Sequence, residues 1–89
     1  MINTSAEATK RLEQAAALTR ETVHIIDNLI VQHDYQEVAS LVAQAAGRLL
    51  EAATALMQSQ DEVAMGALES ADDLLDAVYD IIDAETDED

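Results

Sequence analysis

Apolar residues recur along this chain at alternating steps of four and three, three times over, and that rhythm restricts what it can fold into. Ala64, Leu68, Ala71, Leu75, Val78 and Ile82 keep the step without a break, and Ala67, Leu74 and Ile81 widen the stripe. Val38, Val42, Ala45, Leu49, Ala52 and Leu56 repeat it in the middle of the chain. Near the start it is carried by Leu12, Ala15, Thr19, Thr22, Ile26 and Leu29, backed by Ala16, Val23 and Ile30, with two threonines loosening its centre. Residues three and four apart share a face only on a helix, whereas a half-buried strand needs a period of two, and no alternation of useful length occurs.

Short polar interruptions separate the three segments, and each carries a helix-start signal. Thr4-Ser5-Ala6-Glu7 fits the capping box, in which the hydroxyl accepts from the third backbone N–H and Glu reaches back to the cap. Asp34-Tyr35-Gln36-Glu37 and Ser59-Gln60-Asp61-Glu62 repeat the logic, with Asp34 and Ser59 as caps. These signals predict helices over about 5–32, 35–58 and 60–84 in a single domain spanning 1–84, followed by an acidic tail over 85–89. At about 1.5 Å per residue the helices are each roughly 36–42 Å long. Matched lengths and tight turns predict an all-α fold, a three-helix up-down-up bundle of antiparallel helices.

Such a bundle has a thin core. Among 89 residues there is no Phe, Trp, Cys or Pro, and Tyr35 and Tyr79 are the aromatic residues. A chain of this size buries only about 60% of its unfolded surface, which makes pairing with another chain an expectation from the outset. The middle helix reinforces it. Between Val38 and Met57 its polar positions are only Ser40, Gln44, Gly47, Arg48, Glu51 and Thr54. A helix apolar over the rest of its circumference must be covered on several sides. The surplus predicts a homodimer with Leu41, Leu49, Leu50, Ala53 and Leu56 at the interface; the alternative is a monomer whose two neighbouring helices suffice. Gly47 costs about 0.8–1 kcal/mol relative to alanine inside a helix, which close backbone approach would justify.

Charge is distributed unevenly. The formal net charge is −15, from 19 acidic and 4 basic residues. All four bases, Lys10, Arg11, Arg20 and Arg48, precede residue 60, whereas residues 61–89 hold twelve acids and no base. Glu69, Asp73, Asp76, Asp80 and Asp83 follow one line of the third helix, with Asp72 beside it. A charge run is ordinarily a solvated face, but three features argue for more. Solvated faces interleave cations at i+4, while pairs such as Glu69/Asp73 and Asp72/Asp76 repel by about 0.2–0.5 kcal/mol each. Five of the six acids from Glu69 to Asp83 are Asp, a poorer helix former than Glu. They also crowd the helix C-terminus, where the macrodipole disfavours anions. Local stability does not select this arrangement, so contact with a partner is expected to. Tyr79 flanks the row, as a half-buried edge of the core or, since Tyr is enriched at binding hot spots, as an interface anchor.

A rigid row of carboxylates at about 5–6 Å axial spacing approaches the charge density of a nucleic-acid strand, with one phosphate per 3.4 Å or so of axis. Direct binding of nucleic acid is excluded by sign, and the expected partner is a basic, nucleic-acid-binding protein drawn in by long-range attraction. In being small, helical, soluble and strongly acidic, the chain is similar in overall composition to phage-encoded DNA-mimic inhibitors of host defence, anti-CRISPR proteins among them. That resemblance implies occupation of a basic site and assigns no residue. Glu69, Asp72, Asp73, Asp76, Tyr79, Asp80 and Asp83 are the candidate partner-binding residues. A small helical chaperone or adaptor acting through the apolar surface of the second helix is the alternative.

Other signals are weaker. Asp72-Asp73-Leu74-Leu75-Asp76 has the DDxxD spacing that resembles the magnesium-diphosphate motif of isoprenoid synthases, yet 89 residues cannot enclose the pocket that chemistry needs. Acids in line on one helix cannot wrap six or more oxygens around one cation. His24 and His33 stand nine apart, too far for a shared ligand site on one helix and best read as surface residues. No nucleophile, base and orienting group come together, and the two glycines lie within helices rather than in a phosphate loop. The chain is therefore expected to be non-catalytic, with no cofactor and no metal. With no apolar core near its start and no stretch of about 18 apolar residues, it is expected in the cytoplasm, off the membrane.

Overall fold

The computed structural model describes residues 4–31 and 34–86 of the chain. They form three helices, α1 (Ser5–Asp27), α2 (Gln36–Met57) and α3 (Asp61–Thr86), and no strand occurs among the described residues. The fold is all-α, as the spacing predicts. None of the helices is long and apolar enough to cross a membrane.

Helix α1 opens as its sequence dictates: Thr4 Oγ1 accepts from the Glu7 N–H at 3.1 Å. The reciprocal half of the box is replaced by an ion pair, for the Glu7 carboxylate accepts from Arg11 Nε at 2.9 Å. The helix ends at Asp27, well short of residue 32. Asn28 is the reason. Its backbone N–H donates to Ile25 O at 3.2 Å, while its side-chain amide takes the His24 carbonyl at 2.7 Å. The side chain thus supplies the hydrogen bond that a continuing helix would have supplied from its backbone. Leu29, Ile30 and Val31 are left outside the helix, 41%, 100% and 81% exposed.

Two of the expected caps lie elsewhere. Tyr35, not Asp34, is the N-cap of α2, and it makes no side-chain cap bond. Gln36 Nε2 instead donates to Ile26 O at 2.7 Å and ties the start of α2 to the end of α1. Ser59 ends α2 rather than starting α3. With φ at 59° it is left-handed, its N–H donates to Leu56 O at 3.1 Å, and Gln60 N–H donates to Ala55 O at 2.8 Å. These two bonds are the Schellman pattern, with Ser59 in the place usually taken by glycine. Gln60 then precedes α3, its carbonyl accepting from Ala64 N–H at 3.0 Å. Helix α3 continues through Thr86, so most of the proposed tail, residues 87–89, lies outside the described residues.

Helix α2 packs against both of its neighbours, whereas no Cα of α1 comes within 8 Å of one in α3. Among the described residues the buried apolar side chains are those of Ala16, Ala45, Ala52, Ala55, Ala64, Ala71 and Val78. Small side chains set the contact: Ala45 and Ala52 are one heptad apart on α2, and so are Ala64, Ala71 and Val78 on α3. Gly47 does not mark a forced backbone approach, because a Cβ there would sit 3.5 Å from Thr19 Cγ2, an ordinary contact. The result is elongated, 53 × 29 × 21 Å with a radius of gyration of 15.6 Å. A compact chain of this length would have about 12 Å.

Candidate acidic interaction surface

Helical geometry places the acids of α3 on the arc away from its alanine seam. Ala64, Ala71 and Val78 face inward, and at about 100° per residue Asp72, Asp76, Asp80, Asp73 and Glu69 fall on the outer side. Glu69, Asp72, Asp73, Asp76, Asp80 and Asp83 are all exposed. From Glu69 to Asp83 the row runs about 21 Å along the axis.

Three of the four cations are occupied elsewhere. Arg11 pairs with Glu7 at 2.9 Å, and Arg20 of α1 and Arg48 of α2 both reach Glu51, at 3.4 and 3.0 Å. Each of these pairs lies within α1 and α2, and Glu69, Asp72, Asp73, Asp76 and Asp80 enter no ion pair among the described residues. Exposed pairs of this kind contribute about 0–1 kcal/mol. Their consequence is electrostatic rather than structural: among the described residues the carboxylates of Glu69, Asp72, Asp73, Asp76 and Asp80 are left unneutralised by the bases of α1 and α2.

Tyr79 is 62% exposed, so it is not the half-buried core edge that the sequence favours. It stands on the flank of α3 that also carries Leu68 and Ile82, 41% and 39% exposed, between Asp76 three residues before and Asp83 four after. A shallow hollow lined by Leu49, Leu68, Ala71 and Leu75 also takes in Glu69 and Asp72. The acidic row therefore abuts an apolar strip that continues onto α2.

The interface residues expected on α2 divide. Leu49 and Leu56 are exposed, at 46% and 56%, whereas Leu41, Leu50 and Ala53 are half-buried. The 4-3 series Val38, Val42, Ala45, Leu49, Ala52 and Leu56 does not act as one stripe. Its alanines turn inward, and Val42, Leu49 and Leu56 face solvent. Sequence reading placed Val42 in the core; that the large members alternate with alanines was the available signal.

Asp72, Asp73 and Asp76 of the DDxxD run are exposed on a helix face. Among the described residues no group of three His, Cys, Asp or Glu side chains is placed to hold a metal ion. His24 is exposed in the last turn of α1, and His33 lies outside the described residues. Comparison with protein-family models, with curated protein sequences and with solved structures finds no match to this chain.

Proposed function

We propose that the chain is a non-catalytic cytoplasmic binding protein whose α3 carboxylates occupy the basic, nucleic-acid-handling site of a partner protein, as a DNA mimic or anti-CRISPR-like inhibitor does. The observation that carries this reading is the exposed row from Glu69 to Asp83, in which Glu69, Asp72, Asp73, Asp76 and Asp80 enter no ion pair among the described residues. Short Asp side chains hold charge close to a rigid rod and lose little rotamer freedom on meeting Lys or Arg. Tyr79, exposed within the row, offers a guanidinium both an aromatic face and adjacent carboxylates.

In this proposal the helices alternate in direction, up-down-up. Contacts of Asp27 with Ser40 and Arg20 with Glu51 support it for α1 and α2, since the residue number falls on one helix as it rises on the other. The chain acts as a homodimer, supported by the exposed leucines Leu49 and Leu56. The same leucines favour a second reading, an adaptor that docks an amphipathic segment on α2.

Ionic strength separates the two readings. Immobilised chain, incubated with nuclease-treated cell lysate, is expected to retain nucleic-acid-binding proteins at low salt and release them at high salt, where the screening length falls to about 3 Å at 1 M. Retention unchanged by salt contradicts the electrostatic reading and favours the adaptor.

A further inference from the structure

The outward side of α2 is an unpartnered seam. Val42, Ala46, Leu49, Ala53 and Leu56 follow at steps of four, three, four and three, and Val42, Leu49 and Leu56 are 46%, 46% and 56% exposed. That is the heptad spacing by which one helix pairs with another, and it contains no charged residue. The elongated chain as a whole leaves more surface uncovered than a compact monomer does. The chain exposes 6550 Å² at a mass of 9.6 kDa, where a compact monomer of that mass exposes about 5,100 Å². The excess is larger than the roughly 800 Å² each partner contributes to a stable interface.

The core says what kind of cover is needed. Among the described residues its buried apolar side chains are six alanines and one valine, and larger ones such as Leu41, Leu50, Leu74 and Leu75 are only half-buried, so covering the seam adds apolar burial that the three helices alone do not reach. Such a cover has to be present wherever the chain folds, and the molecule always present there is the chain itself. We infer that α2 pairs along this seam with α2 of a second copy, in parallel, about a two-fold axis running along the helices. This rests on the self-association proposed above and fixes its surface and direction.

Charge selects the direction. An axis along the helices sets each α3 across from the other copy's α1, a nearly neutral helix in which Lys10, Arg11 and Arg20 stand against Glu7, Glu13, Glu21 and Asp27. An axis across the helices sets α3 against α3 and brings together two segments that hold acids and no base. The parallel pairing also leaves both acidic rows on the outer margins of the dimer, free for partners.

The chain has no cysteine, so single-cysteine variants report the pairing directly. In the parallel dimer Val42→Cys, Leu49→Cys and Leu56→Cys each face their own copy, and all three are expected to form a disulfide-linked dimer on mild oxidation. Light scattering of the unaltered chain is expected to give twice the 9.6 kDa chain mass. A dimer in which Leu49→Cys alone cross-links is antiparallel and overturns this inference, as does a dimer in which none does. A folded monomer by light scattering overturns both this inference and the self-association it rests on. The variant Asp72→Asn/Asp76→Asn/Asp80→Asn is expected to cross-link as readily as the parent through Leu49→Cys, which keeps this test separate from that of the acidic row.

Discussion

The Ser40 hydroxyl, 4% exposed, donates to Asp27 Oδ1 at 2.6 Å and accepts from Gln44 Nε2 at 3.1 Å. It is the one buried polar side chain among the described residues, and it fastens the last residue of α1 to the second turn of α2. A hydrogen bond to a charged acceptor contributes about 1.5–3 kcal/mol. Ser40→Ala is expected to lower the unfolding free energy by about that amount, read from urea titration at fixed protein concentration. Asp27→Asn keeps an acceptor and is expected to cost less. A loss from Ser40→Ala below about 0.5 kcal/mol would show that this contact does not anchor the helix pair.

The two helical glycines are expected to be improvable. A Cβ at Gly47 meets Thr19 Cγ2 at 3.5 Å, and one at Gly66 meets nothing within 4 Å. Gly47→Ala and Gly66→Ala are each expected to raise stability by about 0.8–1 kcal/mol, since alanine removes the entropic penalty of a helical glycine without a clash. For a domain of this size that corresponds to a rise of roughly 4–8 °C in melting temperature per substitution. A fall for Gly47→Ala would mean that α1 and α2 lie closer than described.

Ser59 is the complementary case. Its φ of 59° is a left-handed conformation that costs a residue bearing a Cβ about 1–2 kcal/mol. Ser59→Gly is expected to stabilise the chain, by up to about 1 kcal/mol once glycine's greater unfolded-state freedom is subtracted. Thermal unfolding checks it, and an unchanged or lower midpoint would contradict the Schellman reading of this turn.

These positions show what the sequence made legible. The 4-3 spacing located three helices, and Thr4 started α1 as its side chain predicts. Ser59 and Asp34 misled because an oxygen-bearing side chain before a helix reads as an N-cap whether or not the backbone there is already closing the preceding helix. Asn28 stopped α1 within a run, Leu29-Ile30-Val31, whose hydrophobicity suggested continuation; the decisive term was one side-chain amide competing for a carbonyl. The exposure of the α3 acids followed from periodicity alone. That of Val42 did not, because a helix with an alanine-lined inner seam turns its large residues outward, and the apolar count is the same either way.

Like-charge crowding on α3 has a measurable cost. Asp76 lies four residues from Asp72 and Asp80 and three from Asp73, and each such pair repels by about 0.2–0.5 kcal/mol. Asp76→Asn is expected to raise the melting temperature at low ionic strength and to gain less at high ionic strength, where the repulsion is already screened. A gain independent of salt would assign the effect to helix propensity rather than charge.

The central claim is that the α3 row stands in for nucleic acid, and competition tests it most directly. Proteins retained by the immobilised chain from nuclease-treated lysate are challenged with short duplex DNA, beside the variant Asp72→Asn/Asp76→Asn/Asp80→Asn checked for unchanged helicity. The account predicts that duplex DNA displaces the retained proteins from the parent chain and that the variant retains none of them. Retention by the variant equal to the parent, or retention that duplex DNA leaves untouched, would contradict it.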